Sequence, residues 1–191
     1  MKKTLAFFLG TALMLSAVFF TGCSSRETDS LRLGSGIVAS METTDASDEK
    51  NGSGTVSVTV ATVLLDKNNR IAACILDCSE NSIAYTANGS ALASEVLPTK
   101  REQGDAYGMK TYGGALKEWY EEADVFGALA VGKTIEEVKA MVAENGKGNE
   151  EVIRAGCTIS VSDFVKAIEK AVQSASDANA ASKIQSYMDR K

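Results

Sequence analysis

The stretch Thr55-Val56-Ser57-Val58-Thr59-Val60-Ala61-Thr62-Val63-Leu64-Leu65-Asp66-Lys67-Asn68-Asn69-Arg70-Ile71-Ala72-Ala73-Cys74-Ile75-Leu76-Asp77-Cys78 decides the fold class. Val56, Val58 and Val60 alternate with Ser57, Thr59 and Ala61, the period-two pattern of a strand with one buried face. Asp66-Lys67-Asn68-Asn69 reads as a turn, because Asn and Asp bond their own backbone and tolerate positive φ. The second arm sets Ile71, Ala73 and Ile75 on one face and Ala72, Cys74 and Leu76 on the other. Apolar residues on both faces predict a strand covered on both sides.

Working outward, Leu31 to Ser40 predicts another strand, whose two glycines allow a bulge. Met41 to Gly54 is polar and predicts the loop of a long hairpin. Downstream, Glu80-Asn81 predicts a turn and Ser82 to Ala87 a further short strand, giving an antiparallel meander. Ala91 to Leu97 predicts a short element ended by Pro98, and Thr99 to Lys110 irregular chain. Lys100-Arg101 could meet a phosphate, although such a pair more often forms a solvated face.

From Ala115 the period becomes 3.6. Leu116, Trp119, Tyr120, Ala123 and Phe126 form an apolar stripe, with Glu118, Glu121, Glu122 and Asp124 facing away and Gly132 as C′ residue. Thr134-Ile135-Glu136-Glu137 predicts a capping box on a helix running to Asn145-Gly146, with a turn over Lys147 to Glu150. Ser160 as N-cap, Asp163 at N3 and an Ile159–Phe164 staple predict a further helix carrying Phe164, Ile168, Ala171 and Val172 into the core. The fold class is therefore α+β, an antiparallel sheet of about four strands packed by about three helices.

The chain of 191 residues has a formal charge of −5 and no histidine. With no basic tract, nucleic acid is not an expected partner. Without histidine there is no Ser-His or Cys-His nucleophile pair, and no catalytic set stands out. Zinc would need cysteines and carboxylates alone, and no CxxC spacing occurs, so no metal is expected.

Lys2 and Lys3 precede an apolar run from Leu5 to Phe20, which ends in Phe20-Thr21-Gly22-Cys23. This segment resembles a bacterial lipobox, with Phe20 where leucine is usual. It implies a signal peptide over 1–22, an acylated Cys23, a tether over 23–30 and a location on the outer side of the cell membrane, held by lipid. The domain then spans 31–173, and the tail 174–191, rich in Ala, Ser and Asp, continues as a helix through Ile184, Tyr187 and Met188 or frays. Outside the cytoplasm disulfides persist. Cys74 and Cys78 lie ~13 Å apart on a strand, too far to pair. Either one pairs with Cys157, or all three are small buried thiols, the commoner outcome for free cysteine.

Taken together, the strand-turn-strand Thr55 to Cys78, Thr99-Lys100-Arg101-Glu102, Tyr107-Gly108-Met109, Glu118-Trp119-Tyr120-Glu121-Glu122-Ala123 and Ala155-Gly156-Cys157-Thr158-Ile159-Ser160 resemble the FMN-binding-like domains of bacterial lipoproteins. In flavinylated relatives a Ser-Gly-Ala-Thr motif carries FMN as a phosphoester on the threonine, attached by a separate transferase. The resemblance implies Thr158 and Gly156 as the phosphate site, while Ala155 and Cys157 depart from the motif. The local chemistry allows Arg154 to add a charge-assisted contact and the following helix start to offer free N–H groups. Trp119 and Tyr120 are candidates to flank the flavin ring, against an ordinary place in the core. The expected function is electron transfer with a membrane redox partner, by a carrier more than a catalyst. The alternative is a non-catalytic cell-surface binding or interaction module of the same fold without flavin.

Overall fold

The computed structural model describes residues 31–92 and 96–177. The signal peptide, Cys23, the tether, residues 93–95 of the element expected before Pro98 and the tail beyond Asp177 lie outside the described residues.

Three long strands, β1 (Arg32–Thr44), β2 (Gly52–Leu65) and β3 (Ile71–Tyr85), form an antiparallel sheet, and the two-residue β4 (Ser176–Asp177) adds to the free edge of β1, giving the order β3-β2-β1-β4. The fold is α+β, as the alternation of Thr55 to Cys78 predicts. The helices in chain order are α1 (Lys100–Gln103), α2 (Met109–Gly113), α3 (Trp119–Ala130), α4 (Ile135–Lys139), α5 (Glu150–Ala155) and α6 (Ser162–Ser174).

The β2–β3 turn forms where Asp and Asn predict it. The Asp66 carboxylate accepts from the N–H groups of Asn68 and Arg70, both at 2.8 Å, and Asn69 takes a φ of 60°. Three expectations about the sheet are corrected. The chain does not turn at Glu80-Asn81: β3 runs on to Tyr85, held by cross-strand polar pairs such as Thr55 Oγ1 with Ser82 Oγ at 2.7 Å. The loop between β1 and β2 is shorter than Met41 to Gly54, because the ladder continues to Thr44 opposite Ser53. The glycines of β1 make no bulge, since its register with β2 is continuous. They permit close approach instead. A Cβ on Gly34 would lie 1.9 Å from the Ala171 carbonyl oxygen, and one on Gly36 2.0 Å from that of Ala167. The backbone of α6 thus rests directly on β1, and Ser174 Oγ donates to the Ser35 carbonyl at 2.7 Å.

One sheet face carries the core. Thr59, Ala61, Val63 and Leu65 of β2 and Leu76 and Cys78 of β3 are buried beneath α3 and α6. Phe164 of α6 joins the two helices, edge-on to Trp119 at 5.6 Å and tilted against Phe126 at 5.7 Å. The expectation that β3 is covered on both faces does not hold among the described residues: Ile75 remains 62% exposed on the opposite face.

At the helix ends, the Thr134–Glu137 capping box is present and Gly132 follows α3 with a φ of 81°. α4 stops at Lys139 rather than near Asn145, because Asn149 takes over the carbonyls of Met141 and Ala140 through its backbone and side-chain N–H groups. The turn expected over Lys147 to Glu150 gives way at Glu150 to α5, with the Asn149 side chain accepting from Val152 N–H at 3.2 Å. The N-cap of α6 is Val161 and not Ser160. The Ser160 and Ser162 hydroxyls both donate to the Gly146 carbonyl, and the Val161 N–H does the same, so the turn at 146 draws Ser160 away from the helix end. Asp163 accordingly falls short of N3 and pairs with Lys166 at 2.9 Å.

Candidate functional site

α5 ends in Gly156, which takes a φ of 98° and returns the chain toward α3. Glycine suits this position because the φ is left-handed; the Lys117 ammonium nitrogen, at the movable end of its side chain, lies 2.3 Å from where a Cβ would sit. Lys117 donates in turn to the Ala155 carbonyl at 3.2 Å, fixing the loop before α3 against the end of α5.

The next turn is organised by Glu122. Its carboxylate accepts the backbone N–H of Thr158, the N–H of Ile159 at 3.0 Å and the Thr158 hydroxyl at 3.1 Å. Glu122 is only 2% exposed, yet it is fully hydrogen-bonded, the condition under which a buried carboxylate is tolerated. Glu118, 1% exposed, does the same one turn earlier and accepts the N–H groups of Met109 at 2.8 Å and Lys110 at 3.1 Å. Both residues are corrections to the expected solvent-facing acidic stripe. Glu122 is a staple from α3 to the 156–159 turn, and Glu118 one to the start of α2. Conversely, Leu116, expected on the buried stripe, is 96% exposed.

Thr158 itself is exposed at a cavity of about 250 Å³, which is lined mainly by apolar surface from Leu116 and Ile153, with Lys117, Glu122, Arg154 and Gly156. The structure thus brings together Thr158, Gly156 and Arg154. It does not add the aromatic pair to them. Trp119 is buried against Phe164, and the Tyr120 hydroxyl donates to Asp105 at 3.1 Å; neither lines this cavity. Trp119 borders a different, more polar cavity of about 270 Å³ with Ser160, Asp163 and Lys100. At the turn itself the N–H groups of Thr158 and Ile159 are occupied by Glu122, and that of Val161, the N-cap of α6, by the Gly146 carbonyl.

Lys100-Arg101 is neither a phosphate clamp nor a solvated pair. Lys100 is buried, 2.8 Å from Glu80, with its ammonium 4.9 Å from the Tyr107 ring centre. Arg101 spans the Leu76 carbonyl and the Asp124 carboxylate. Cys74, Cys78 and Cys157 are free thiols, the commoner of the two expected outcomes, with Cys78 and Cys157 buried and Cys74 half-buried. Burial, reinforced by the Glu122 charge, pushes the Cys157 thiol up to about 12, and burial alone does the same for Cys74. Neither is a nucleophile near neutral pH.

Glu122, Lys117, Leu116 and Ile153 were not singled out by sequence. For Glu122 a signal exists: it sits three residues after Trp119 and four before Phe126, on the apolar stripe. A carboxylate at such a position is either misplaced or paired. The other three sit at the site because the turn at Gly156 closes over the loop before α3, a long-range contact. No family model, curated protein or solved structure matches the chain.

Proposed function

We propose that this chain is an extracytoplasmic, lipid-anchored carrier domain in which Thr158 is the attachment point for FMN, held as a phosphoester for electron transfer. The observation that carries this reading is Thr158 itself, an exposed residue lining the cavity whose hydroxyl donates to the buried carboxylate of Glu122. A carboxylate in that position can accept the hydroxyl proton as the oxygen attacks the FMN phosphorus of a flavin dinucleotide held by the transferase, the pyrophosphate P–O bond breaking and a nucleoside monophosphate leaving. Lys117 and Arg154 supply positive charge around the product phosphate, and Leu116 and Ile153 offer apolar surface to a ring.

The same geometry argues against noncovalent FMN at this turn. The N–H groups of Thr158 and Ile159 are already bound to Glu122 and are not open to a free phosphate. The second reading, a flavin-free interaction module, is favoured by that internal carboxylate, which completes the turn without any ligand.

Coexpression with a flavin transferase in a host that exports and anchors the chain separates the two. The carrier reading expects flavin fluorescence that stays with the protein band after denaturation, is lost in Thr158→Ala and returns in Thr158→Ser. A band without fluorescence under conditions that flavinylate a positive control would leave only the interaction module.

A further inference from the structure

The two edges of the sheet are covered unequally. Along β3, Ile71 is bonded to Gly132 and Lys133, Arg101 occupies the Leu76 carbonyl, and the Leu92 N–H donates to the Ala84 carbonyl. Along β1, β4 pairs with Arg32 and Leu33, and Ser174 Oγ meets both the N–H and the carbonyl of Ser35. Lys170 Nζ then donates to the Ile37 carbonyl at 2.9 Å. Backbone groups along a strand point alternately to its two sides. Those of Ala39, Met41 and Thr43 therefore face the same way as those of Ser35 and Ile37, away from β2. They have no partner among the described residues, and all three residues are exposed. Edges are ordinarily blunted by proline, lysine or a bulge. Ala39-Ser40-Met41-Glu42-Thr43 has none of these, and its register with β2 is continuous. An edge of this kind is a template for a further strand.

The two sheet faces beside this edge define the strand it takes. On the outer face Ile37, Ala39 and Met41 lie opposite Val60, Val58 and Val56, and Ile37 is 56% and Met41 71% exposed. On the inner face Ser40 and Glu42 border the cavity of about 270 Å³ that also holds Ser57, Lys100 and Asp163. Lys100 is matched by Glu80 at 2.8 Å, and Asp163 by Lys166 at 2.9 Å. Glu42 is exposed and has no cationic partner among the described residues. The rim of the cavity is thus left with an uncompensated negative charge, in a chain whose formal charge is −5. An added strand sends alternate side chains to the two faces. Those opposite Ala39, Met41 and Thr43 lie on the apolar face, and those opposite Ser40 and Glu42 lie at the cavity, where charge complementarity asks for lysine or arginine. A second copy of this chain fits less well. Antiparallel pairing of two such edges about Met41 sets Glu42 opposite Ser40 of the other copy and brings a second carboxylate to each cavity.

We propose that the edge of β1 over residues 39–43 binds an extended segment of another protein by strand addition, a segment that alternates apolar residues with lysine or arginine. Backbone bonds to Ala39, Met41 and Thr43 hold it, Ile37, Met41 and Val56 receive its apolar side chains, and Glu42 receives a basic one. Thr158 and Glu122 take no part, so the site stands whether or not flavin is carried.

The test is amide hydrogen exchange of the full chain in detergent, read residue by residue by NMR. The probe is a synthetic peptide of alternating valine and lysine, compared with its valine–glutamate counterpart and with a valine–lysine peptide N-methylated at the valines. Saturating lysine peptide is expected to slow exchange at the Ala39, Met41 and Thr43 amides at least about tenfold, and the other two peptides to leave it unchanged. Glu42→Lys should reverse the preference between the lysine and glutamate peptides. Met41→Pro, which removes an N–H that β2 does not use, should abolish binding. If that variant perturbs the fold, the N-methylated peptide makes the same test on the native chain. Unchanged exchange at the three amides under millimolar lysine peptide overturns the proposal, as does equal protection by the lysine and glutamate peptides. Amides already protected without peptide overturn it in favour of a segment of this chain or, where dilution releases them, of a second copy.

Discussion

At the scale of single residues, the site is arranged by a carboxylate rather than by the glycine and threonine that draw attention in the sequence. Glu122 joins α3 to the turn after α5 through two backbone N–H groups and one hydroxyl. Removing it leaves buried donors without a partner, so Glu122→Ala is expected to lower unfolding free energy by about 3 kcal/mol, read from urea denaturation. Thr158→Ala removes one part-buried hydroxyl bond, leaves the backbone donors paired, and should cost about 1 kcal/mol. If the two losses are equal, the backbone donors are satisfied in some other way and the staple is not what holds the turn. The residue types around Thr158 were legible in the sequence: Gly156 for its backbone freedom and Arg154 for its charge. Glu122 was misread: its spacing from Trp119 and Phe126 sets it on the apolar stripe, but a carboxylate is assigned to the polar side by type, and its partner lies in a turn thirty-six residues away.

At the scale of elements, the local signals with an internal partner were readable, and those decided by a distant partner were not. The Thr134–Glu137 box and the Asp66–Asn69 turn close on themselves, and both form as expected. Ser160 has the chemistry of an N-cap but spends its hydroxyl on the Gly146 carbonyl, a partner no local pattern reveals. The glycines of β1 are a similar case. As a sequence feature they suggest a bulge, whereas in the fold they admit α6. Gly36→Ala is therefore expected to destabilise the domain by about 2–3 kcal/mol, because its Cβ meets backbone that cannot move without lifting α6 from the sheet. Gly54→Ala, whose Cβ has only a 3.8 Å contact, is the control and should change stability far less. A calorimetric comparison of the two variants distinguishes close approach from a general cost of side chains on strands.

At the scale of the whole molecule, the alternation in Thr55 to Cys78 was enough to give the α+β class, because one buried face of a sheet requires a layer to cover it. It could not show that α3 and α6 would settle on the same face. Apolar residues on both sides of β3 read as two covered faces, and the outer one is bare among the described residues. The single buried layer also sets how the thiols behave. Cys74 and Cys157, pushed up to about 12 by burial, should resist alkylation in the native protein at neutral pH and react on unfolding. The unfolded thiols ionise near their ordinary value of 9.0, while the folded ones hold their protons to about 12. The stability they support is thus complete below pH 9 and declines as pH rises toward 12. Denaturation curves across that range, compared with Cys157→Ala, measure the decline.

The central claim is that Thr158 carries the flavin and Glu122 prepares its hydroxyl. Intact mass of the exported chain, coexpressed with a flavin transferase and followed by peptide mapping, tests it most directly. The account predicts an added mass of one FMN less one water on the peptide containing Thr158, absent in Thr158→Ala and strongly reduced in Glu122→Gln. An unmodified Thr158 peptide, obtained while a positive control is fully flavinylated, would contradict it.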